Sequence, residues 1–409
     1  MLGRGSSLPD LGMPAILASR AFGASAYYSL FPFLLVLLTG RFGLGLWGSG
    51  VVVALMLLAS RLLAVPAGRL IDRHGAGPFI LGSNLASMGA VLGLILIPPD
   101  ATAAVILLLL LRGAMASGQG VAYQVLMHQR SDRGALVRSY ANLGIAANLG
   151  VIIGPLAASY AGPIQVAPLL LPLLFHGLSA ALALGIGGGR RPLAEQEAEP
   201  VHQANPNAAG GLSRPFLIAY FVQWVLLQQI ILSLAYFCTR VMGNDNLGGV
   251  FFALQGALII PTLYVAGRHL SRVGEDRRVS IFILGCLVLA ASYLAFGALA
   301  PALPLYSIVL FAILLTAAEA LSVPIGDAYI ASSGRTGALG STFSLVALLQ
   351  SAGMAAGSLL GAGLIASLEG AGALAWFWQT CGAVGLVFFI PAGIVALRAR
   401  PAAAPASLA

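Results

Sequence analysis

The feature that most restricts this chain is the recurrence of apolar runs about twenty residues long, each cut off by glycine, proline or arginine. The run LWGSGVVVALMLLASRLLAVPA, residues 46–67, is one of them. About twenty apolar residues in a helix match a hydrocarbon core roughly 30 Å thick. Inside such a core every backbone N–H and C=O must be satisfied by the segment itself or by a closed barrel. The runs here are continuous rather than alternating, which excludes barrel strands and leaves helices. Only 8% of the 409 residues are charged and 59% are hydrophobic, whereas soluble domains carry about 25% charge. The chain is therefore expected to be a polytopic membrane protein.

Punctuation between the runs predicts twelve spans, at 12–39, 45–68, 77–98, 101–126, 137–160, 165–187, 215–240, 247–268, 279–298, 304–331, 338–366 and 372–397. All 21 basic residues are arginine. With the N-terminus in the cytoplasm, sixteen arginines fall on that side and two, Arg41 and Arg240, on the other. That asymmetry is the positive-inside pattern of an inner-membrane protein with both termini cytoplasmic. The net charge of +8 sits in short loops, so no nucleic-acid partner is expected. Cys238, Cys286 and Cys381 lie in apolar runs and read as small buried hydrophobes. A Gly-, Pro- and Ala-rich polar stretch separates residues 1–187 from 214–409, and 188–213 is expected to be a cytoplasmic linker.

The two parts echo one another. GRLIDRHG at 68–75 corresponds to GRHLSRVG at 267–274, an offset of 199. GALVRSYANL at 134–143 and GVIIGPLAAS at 150–159 correspond to GALGSTFSL at 337–345 and GMAAGSLLGA at 353–362, both offset by 203. A duplicated six-helix unit follows, giving an all-α membrane protein of twelve helices in two pseudo-symmetric halves. GRLIDRHG resembles the second loop signature of the major facilitator superfamily, with Ala76 and Gly77 in place of the usual basic pair. GVIIGPLAAS resembles the fifth-span signature of its twelve-span drug:proton antiporters, with Ala158 and Ser159 replacing the last two glycines. Arg112 in LLLRGAMASGQG stands where the fourth-span signature has its arginine.

The octet also has a physical reading. Gly68 and Gly75 permit close approach and a tight turn, while Asp72 lies at the level where the eleventh span begins, near GSTFS (340–344). The resemblance implies a latch between the halves made by Gly68, Asp72, Arg73 and Gly75. For Gly150, Gly154 and Pro155 two readings stand: small-residue packing between helices, or, from the resemblance, a kinked fifth helix sealing the cavity against proton leak.

The resemblance places the first, fourth, seventh and tenth spans around a central cavity. Ionisable residues at membrane depth are functional candidates. The substrate candidates are Arg20, Tyr27, Tyr28, Arg112, Gln119, Tyr123, Trp224 and Gln228. Glu319 lies about fifteen residues into the tenth span, roughly 22 Å deep at about 1.5 Å per residue, where it is expected to carry the coupled proton. Asp327, about two turns nearer the cytoplasm, is expected to pair with Arg130 or Arg138 in a gate. His176 on the sixth span is expected to be a satisfied packing residue.

No metal-ligand spacing, Walker motif or nucleophile–base pair occurs, so no cofactor, metal or enzyme activity is expected. GLGLWG at 43–48 matches Gly-x-Gly-x-x-Gly but follows no strand, so no dinucleotide site is expected there. The expectation is a monomeric, proton-coupled secondary transporter in the bilayer, moving a small molecule by alternating access. Export of an amphipathic, drug-like compound follows from the antiporter-like run. Transport of an organic anion, such as a carboxylate metabolite or siderophore, follows from Arg20 and Arg112.

Overall fold

The computed structural model describes residues 12–62, 64–130, 136–161, 167–186, 212–270, 273–333, 339–368 and 374–398. Every regular element among them is a helix. In chain order they are α1 (Gly12–Tyr28), α2 (Leu34–Gly40), α3 (Leu46–Leu62), α4 (Ala64–His74), α5 (Ala76–Leu96), α6 (Thr102–Arg130), α7 (Leu136–Ala161) and α8 (Ala167–Leu184). Then come α9 (Arg214–Arg240), α10 (Asn246–Leu270), α11 (Glu275–Leu299), α12 (Pro304–Ser333), α13 (Leu339–Leu368) and α14 (Leu374–Arg398). Ten stretches are long and apolar enough to cross a bilayer, counting Gly12–Gly40 as one; Leu46–Leu62 and Leu169–Leu184 are shorter apolar helices. These twelve coincide with the twelve expected spans. The linker expected over 188–213 lies outside the described residues, apart from its last two positions.

Two expected features differ in detail. The first span is not one helix. Pro32 has no N–H to donate, so the chain leaves α-geometry after Tyr28, passes through a 3₁₀ turn at Phe31–Phe33 and resumes as α2. The octet expected as a loop is helical up to His74, and Gly75 alone makes the connection to α5, with φ 90° and ψ 158°. Only glycine adopts that backbone conformation without strain.

By contact the described chain forms two compact units. The first comprises residues 1–197, 228–257 and 354–369. In it α1 packs on α7 and α8, α5 on α6 and α8, and α3 on α6. Ile71 of α4 is buried with Ile80, Ala122 and Met127, fixing α4 to α5 and α6. The second unit comprises 198–227, 258–353 and 370–409, and centres on α11 packed between α12 and α14. Its core is aromatic: Tyr293 stacks on Trp378 with ring centres 5.6 Å apart, and Phe296 on Phe311 at 4.7 Å. Cys238, Cys286 and Cys381 are all buried.

Candidate functional site

The break in the first span creates the site. Beyond Ser29 the backbone bonds tighten: Leu30 N–H donates to the Tyr27 carbonyl at 3.3 Å and Phe33 N–H to the Leu30 carbonyl at 3.0 Å. The Ala26 carbonyl thereby loses its helical donor. Ser29 Oγ at 3.1 Å and Arg112 from α6 replace it, Arg112 Nη2 donating to the Ala26 carbonyl at 2.8 Å and to the Tyr27 carbonyl at 3.2 Å. A cation at the C-terminal end of a helix is favoured by the helix dipole. The guanidinium also lies 5.3 Å from the centre of the Tyr27 ring. Arg112 is only 1% exposed. Its Nε and Nη1 have no hydrogen-bonding partner among the described residues. A buried guanidinium with two idle nitrogens is built to receive an acceptor.

Arg20 lies about two turns before this break on α1. Its guanidinium carbon is 5.6 Å from the centre of the Tyr123 ring, and its Nε is buried without a partner among the described residues. Gln119, on the same face of α6 as Arg112 and Tyr123, is buried with its Nε2 unpartnered. Tyr27 and Tyr28 are half-buried, edge to face, with ring centres 5.2 Å apart. The structure therefore sets two contacts between α1 and α6 about two turns apart, Arg112 with Tyr27 and Arg20 with Tyr123, with Gln119 Oε1 by Gly23 between them. Tyr123 is fully buried with its hydroxyl turned into the bundle, 2.7 Å from Ser19 Oγ. Its ring supports Arg20, while its polar end is already satisfied.

On α9, Trp224 is half-buried, and its Nε1 has no partner among the described residues. Gln228 is fully buried and donates to Ser358 Oγ at 3.0 Å, and Gln229 donates to the Gly357 carbonyl at 2.7 Å. The two glutamines thus form a strut between α9 and α13, while Gln228 Oε1 is buried without a partner among the described residues. The small residues GS at 357–358 are the sequence signal for that strut, because they bring the α13 backbone within reach of a glutamine.

Glu319 is half-buried on α12, yet its helical neighbours Leu315, Thr316, Ser322 and Gly326 are all buried. It acts electrostatically on Tyr293, at the edge of the aromatic core. Asp327 is exposed. The side chain of Arg138, one expected partner for it, lies outside the described residues. Sequence reasoning missed Arg278, whose Nη1 donates to the carbonyl of Ala328, next to Asp327, at 3.3 Å. The pair Arg277–Arg278 at the start of α11 is the signal that pointed there.

The family model for the Major Facilitator Superfamily matches residues 16–313. The chain belongs to the major facilitator superfamily. No curated protein sequence matches it. Among solved structures it is similar to a POT family transporter in complex with 5-aminolevulinic acid, with a TM-score of 0.74 and 13% identity over 96% of this chain and 99% of that one. It is also similar to the peptide transporter POT in complex with alafosfalin, at a TM-score of 0.75 and 15% identity over 96% and 97% of the two chains. The nucleoside transporter NupG aligns with a TM-score of 0.71 and 13% identity over 94% and 99%. At these identities the likeness is one of fold.

In this major facilitator transporter the fifth-span glycines make backbone contacts. A methyl on Gly150 would lie 2.6 Å from Ser25 N and 2.8 Å from the Ala21 carbonyl oxygen. One on Gly154 would lie 2.5 Å from the Ser25 carbonyl oxygen and 2.8 Å from Ser29 N. The opposite side of α7 meets α10, where a methyl on Gly249 would lie 2.8 Å from the Pro155 carbonyl oxygen. Likewise, a methyl on Gly50 of α3 would lie 2.8 Å from the Ser358 carbonyl oxygen of α13. These two seams lie at the arginine-poor ends of the helices. At the opposite end, Arg73 is exposed and Gly75 makes the turn. The side chain of Asp72, the position of Gly68 and the side chains of 340–344 lie outside the described detail, and so does the expected latch.

Proposed function

We propose that this transporter moves a small organic anion or a zwitterion bearing a carboxylate. The observation that carries this reading is Arg112: a fully buried guanidinium whose described partners are carbonyls and an aromatic ring, with Nε and Nη1 idle. Arg20, about two turns earlier on α1, adds a second guanidinium with an idle Nε. A carboxylate accepts from arginine in paired, charge-assisted hydrogen bonds, and a lipophilic cation gains nothing from this surface. The 5-aminolevulinic acid held by one structural neighbour has this chemistry. The rival reading, efflux of an amphipathic drug, drew on Gly150, Gly154 and Pro155, and close packing of α7 against α1 and α10 is reason enough for those residues.

Transport on this reading is secondary and proton-coupled. Glu319, partly accessible in the middle of an otherwise buried helix face, takes and releases the proton. The halves 1–187 and 214–409 alternate about the linker 188–213, with the seams at Gly50 and Gly249 closing the arginine-poor side and the octet holding the other. Asp327 and Arg278 brace the arginine-rich end of α12. The protein works as a monomer in a bacterial inner membrane, with both termini on the arginine-rich, cytoplasmic side.

Proteoliposomes carrying the full chain test this. Influx or efflux of 5-aminolevulinic acid, dipeptides and mono- and dicarboxylates is compared with that of tetraphenylphosphonium, with a pH dye inside. Carboxylate-bearing solutes are expected to move with protons, Arg112→Ala to abolish that movement and Arg20→Gln to raise its KM. If only the lipophilic cation moves and both variants move it normally, the anion reading is wrong and drug efflux replaces it. If carboxylates move without protons and Glu319→Gln is indifferent, the coupling is wrong.

A further inference from the structure

His176 was expected to be a satisfied packing residue. It is 3% exposed, and its Nε2 has no partner among the described residues, while Nδ1 lies 2.8 Å from Asn84 Oδ1. This contact ends a chain of hydrogen bonds that crosses four helices and finishes beneath Arg20. The direction of its amide and imidazole bonds follows from the groups involved.

Asn84 Nδ2 reaches the Ile80 carbonyl at 2.9 Å and Ser179 Oγ at 3.0 Å. A carbonyl only accepts, so the amide orientation is fixed and Oδ1 faces His176. An amide oxygen also only accepts, so His176 donates from Nδ1–H and its Nε2 is a bare lone pair. Ser179 Oγ donates to the Ser19 carbonyl at 2.9 Å, and Ser19 Oγ donates to the Ser179 carbonyl at 3.0 Å. Both serine protons are then used. With each serine proton on a carbonyl, the Tyr123 hydroxyl donates to Ser19 Oγ at 2.7 Å or to Ser179 Oγ at 3.3 Å. Ser19 Oγ and Ser179 Oγ also lie 3.1 Å apart, so the three hydroxyls form one cluster. It clamps Tyr123 on α6 to Ser19 on α1 and to Ser179 and His176 on α8, through Asn84 on α5. The clamped ring is the surface over which Arg20 sits.

We infer that His176 is a positioning residue for substrate recognition: its Nδ1–H orients Asn84, which fixes Ser179, Ser19 and Tyr123, and thereby holds the Arg20 guanidinium in place. The inference deepens the anion reading and rests on it. Losing the imidazole donor frees the amide of Asn84 to turn and removes the acceptor geometry at Ser179. The Tyr123 ring then loses its single orientation, and Arg20 spends less time where a carboxylate meets it.

Two experiments test this. The first is independent of substrate: ¹⁵N spectra of histidine-labelled full-length protein in nanodiscs, where His176 is identified by its loss in His176→Asn among the five histidines. The Nδ1–H tautomer is expected, and an Nε2–H tautomer would overturn the proton order and the inference with it. The second uses whichever carboxylate-bearing solute the proteoliposome panel finds to move. His176→Leu and Tyr123→Phe are each expected to raise KM by about three- to tenfold, the range of one net hydrogen bond, with little change in maximal rate. The double variant should be no worse than the worse single one, and His176→Asn, which keeps a donor at the Nδ1 position, should restore KM. If Arg20→Gln raises KM while His176→Leu and Tyr123→Phe leave it within twofold, the inference fails and the anion reading stands. If Arg20→Gln also leaves KM unchanged, or nothing on the panel moves, the anion reading fails and takes the inference with it.

Discussion

Gly249 offers a direct test of the seam between α7 and α10. A methyl at this position would lie 2.7 Å from Ser159 Cβ and 2.8 Å from the Pro155 carbonyl oxygen, and would collide with Ser159 Oγ. Ordinary packing needs about 3.5–4.0 Å between carbon atoms. The two helices must therefore separate by roughly 0.7 Å or more, and both contacts on α7 are made by atoms close to its backbone. Overpacking of this kind costs about 1–3 kcal/mol. The cost applies only to the arrangement in which the seam is closed, so Gly249→Ala should shift the equilibrium away from closure by about 5- to 150-fold. Gly249→Val should shift it further. Nitroxides at Gly45→Cys and Val241→Cys, on exposed positions at the arginine-poor end, report on closure by electron–electron distance measurement. The three native cysteines are buried and leave little background. The expected result is a population at longer distance in Gly249→Ala, dominant in Gly249→Val, and partly reversed by Ser159→Gly. Gly248→Ala is the control, because a methyl there would meet Ala235 at an ordinary 3.4–3.6 Å. Unchanged distances in Gly249→Val would refute the idea that this seam must close.

Other outcomes follow from the same geometry. Gly75→Ala places a side chain in a backbone region open essentially to glycine and should cost about 1–3 kcal/mol, read as a lower unfolding temperature in detergent. Arg112→Leu removes one donor from each of the Ala26 and Tyr27 carbonyls, leaving Ser29 Oγ and Leu30 N–H as their donors, and should lower that temperature by more than Arg20→Leu does, since Arg20 donates to no backbone carbonyl among the described residues. Glu319→Gln should abolish proton movement in proteoliposomes while leaving solute exchange between the two sides intact.

The spans were legible because a bilayer imposes a harsh rule: about twenty apolar residues for each crossing, with charge only at the ends. The break at Pro32 was not, since FPF sits in an unbroken apolar run and proline is common in membrane helices that neighbours repair. The repair comes from Arg112, eighty residues away, and composition cannot announce it. The octet looked like a loop because its charges were counted, whereas the backbone needs only Gly75 to turn. Helical periodicity correctly put Arg112, Gln119 and Tyr123 on one face, but it could not say which end of Tyr123 faces where. That depended on Ser19 and Ser179 meeting across two helices. Gln228 was read as polar and therefore as lining a cavity. Its amide nitrogen meets the Ser358 hydroxyl of α13, while its Oε1 has no partner among the described residues.

A division of chemistry between the first six helices and the last six emerges from where the unsatisfied charge lies. The buried guanidinium nitrogens without described partners belong to Arg20, Arg41 and Arg112, all in the first six. The second unit has an aromatic core with Glu319 at its edge. A transporter that kept its cation and its carboxylate in one rigid body would let them pair permanently, and neither would respond to solute or proton. With the arginines in the first six spans and Glu319 in the last six, the proposed reading has each neutralised separately, the arginines by the solute and the glutamate by the proton. On the reading proposed here, that separation is what makes the two binding events meet only through the movement of the halves. Moving a carboxylate to α6 beside Arg112, as in Ala116→Glu, should therefore abolish solute transport by pairing the charges within one half, even if the protein folds as stably as before.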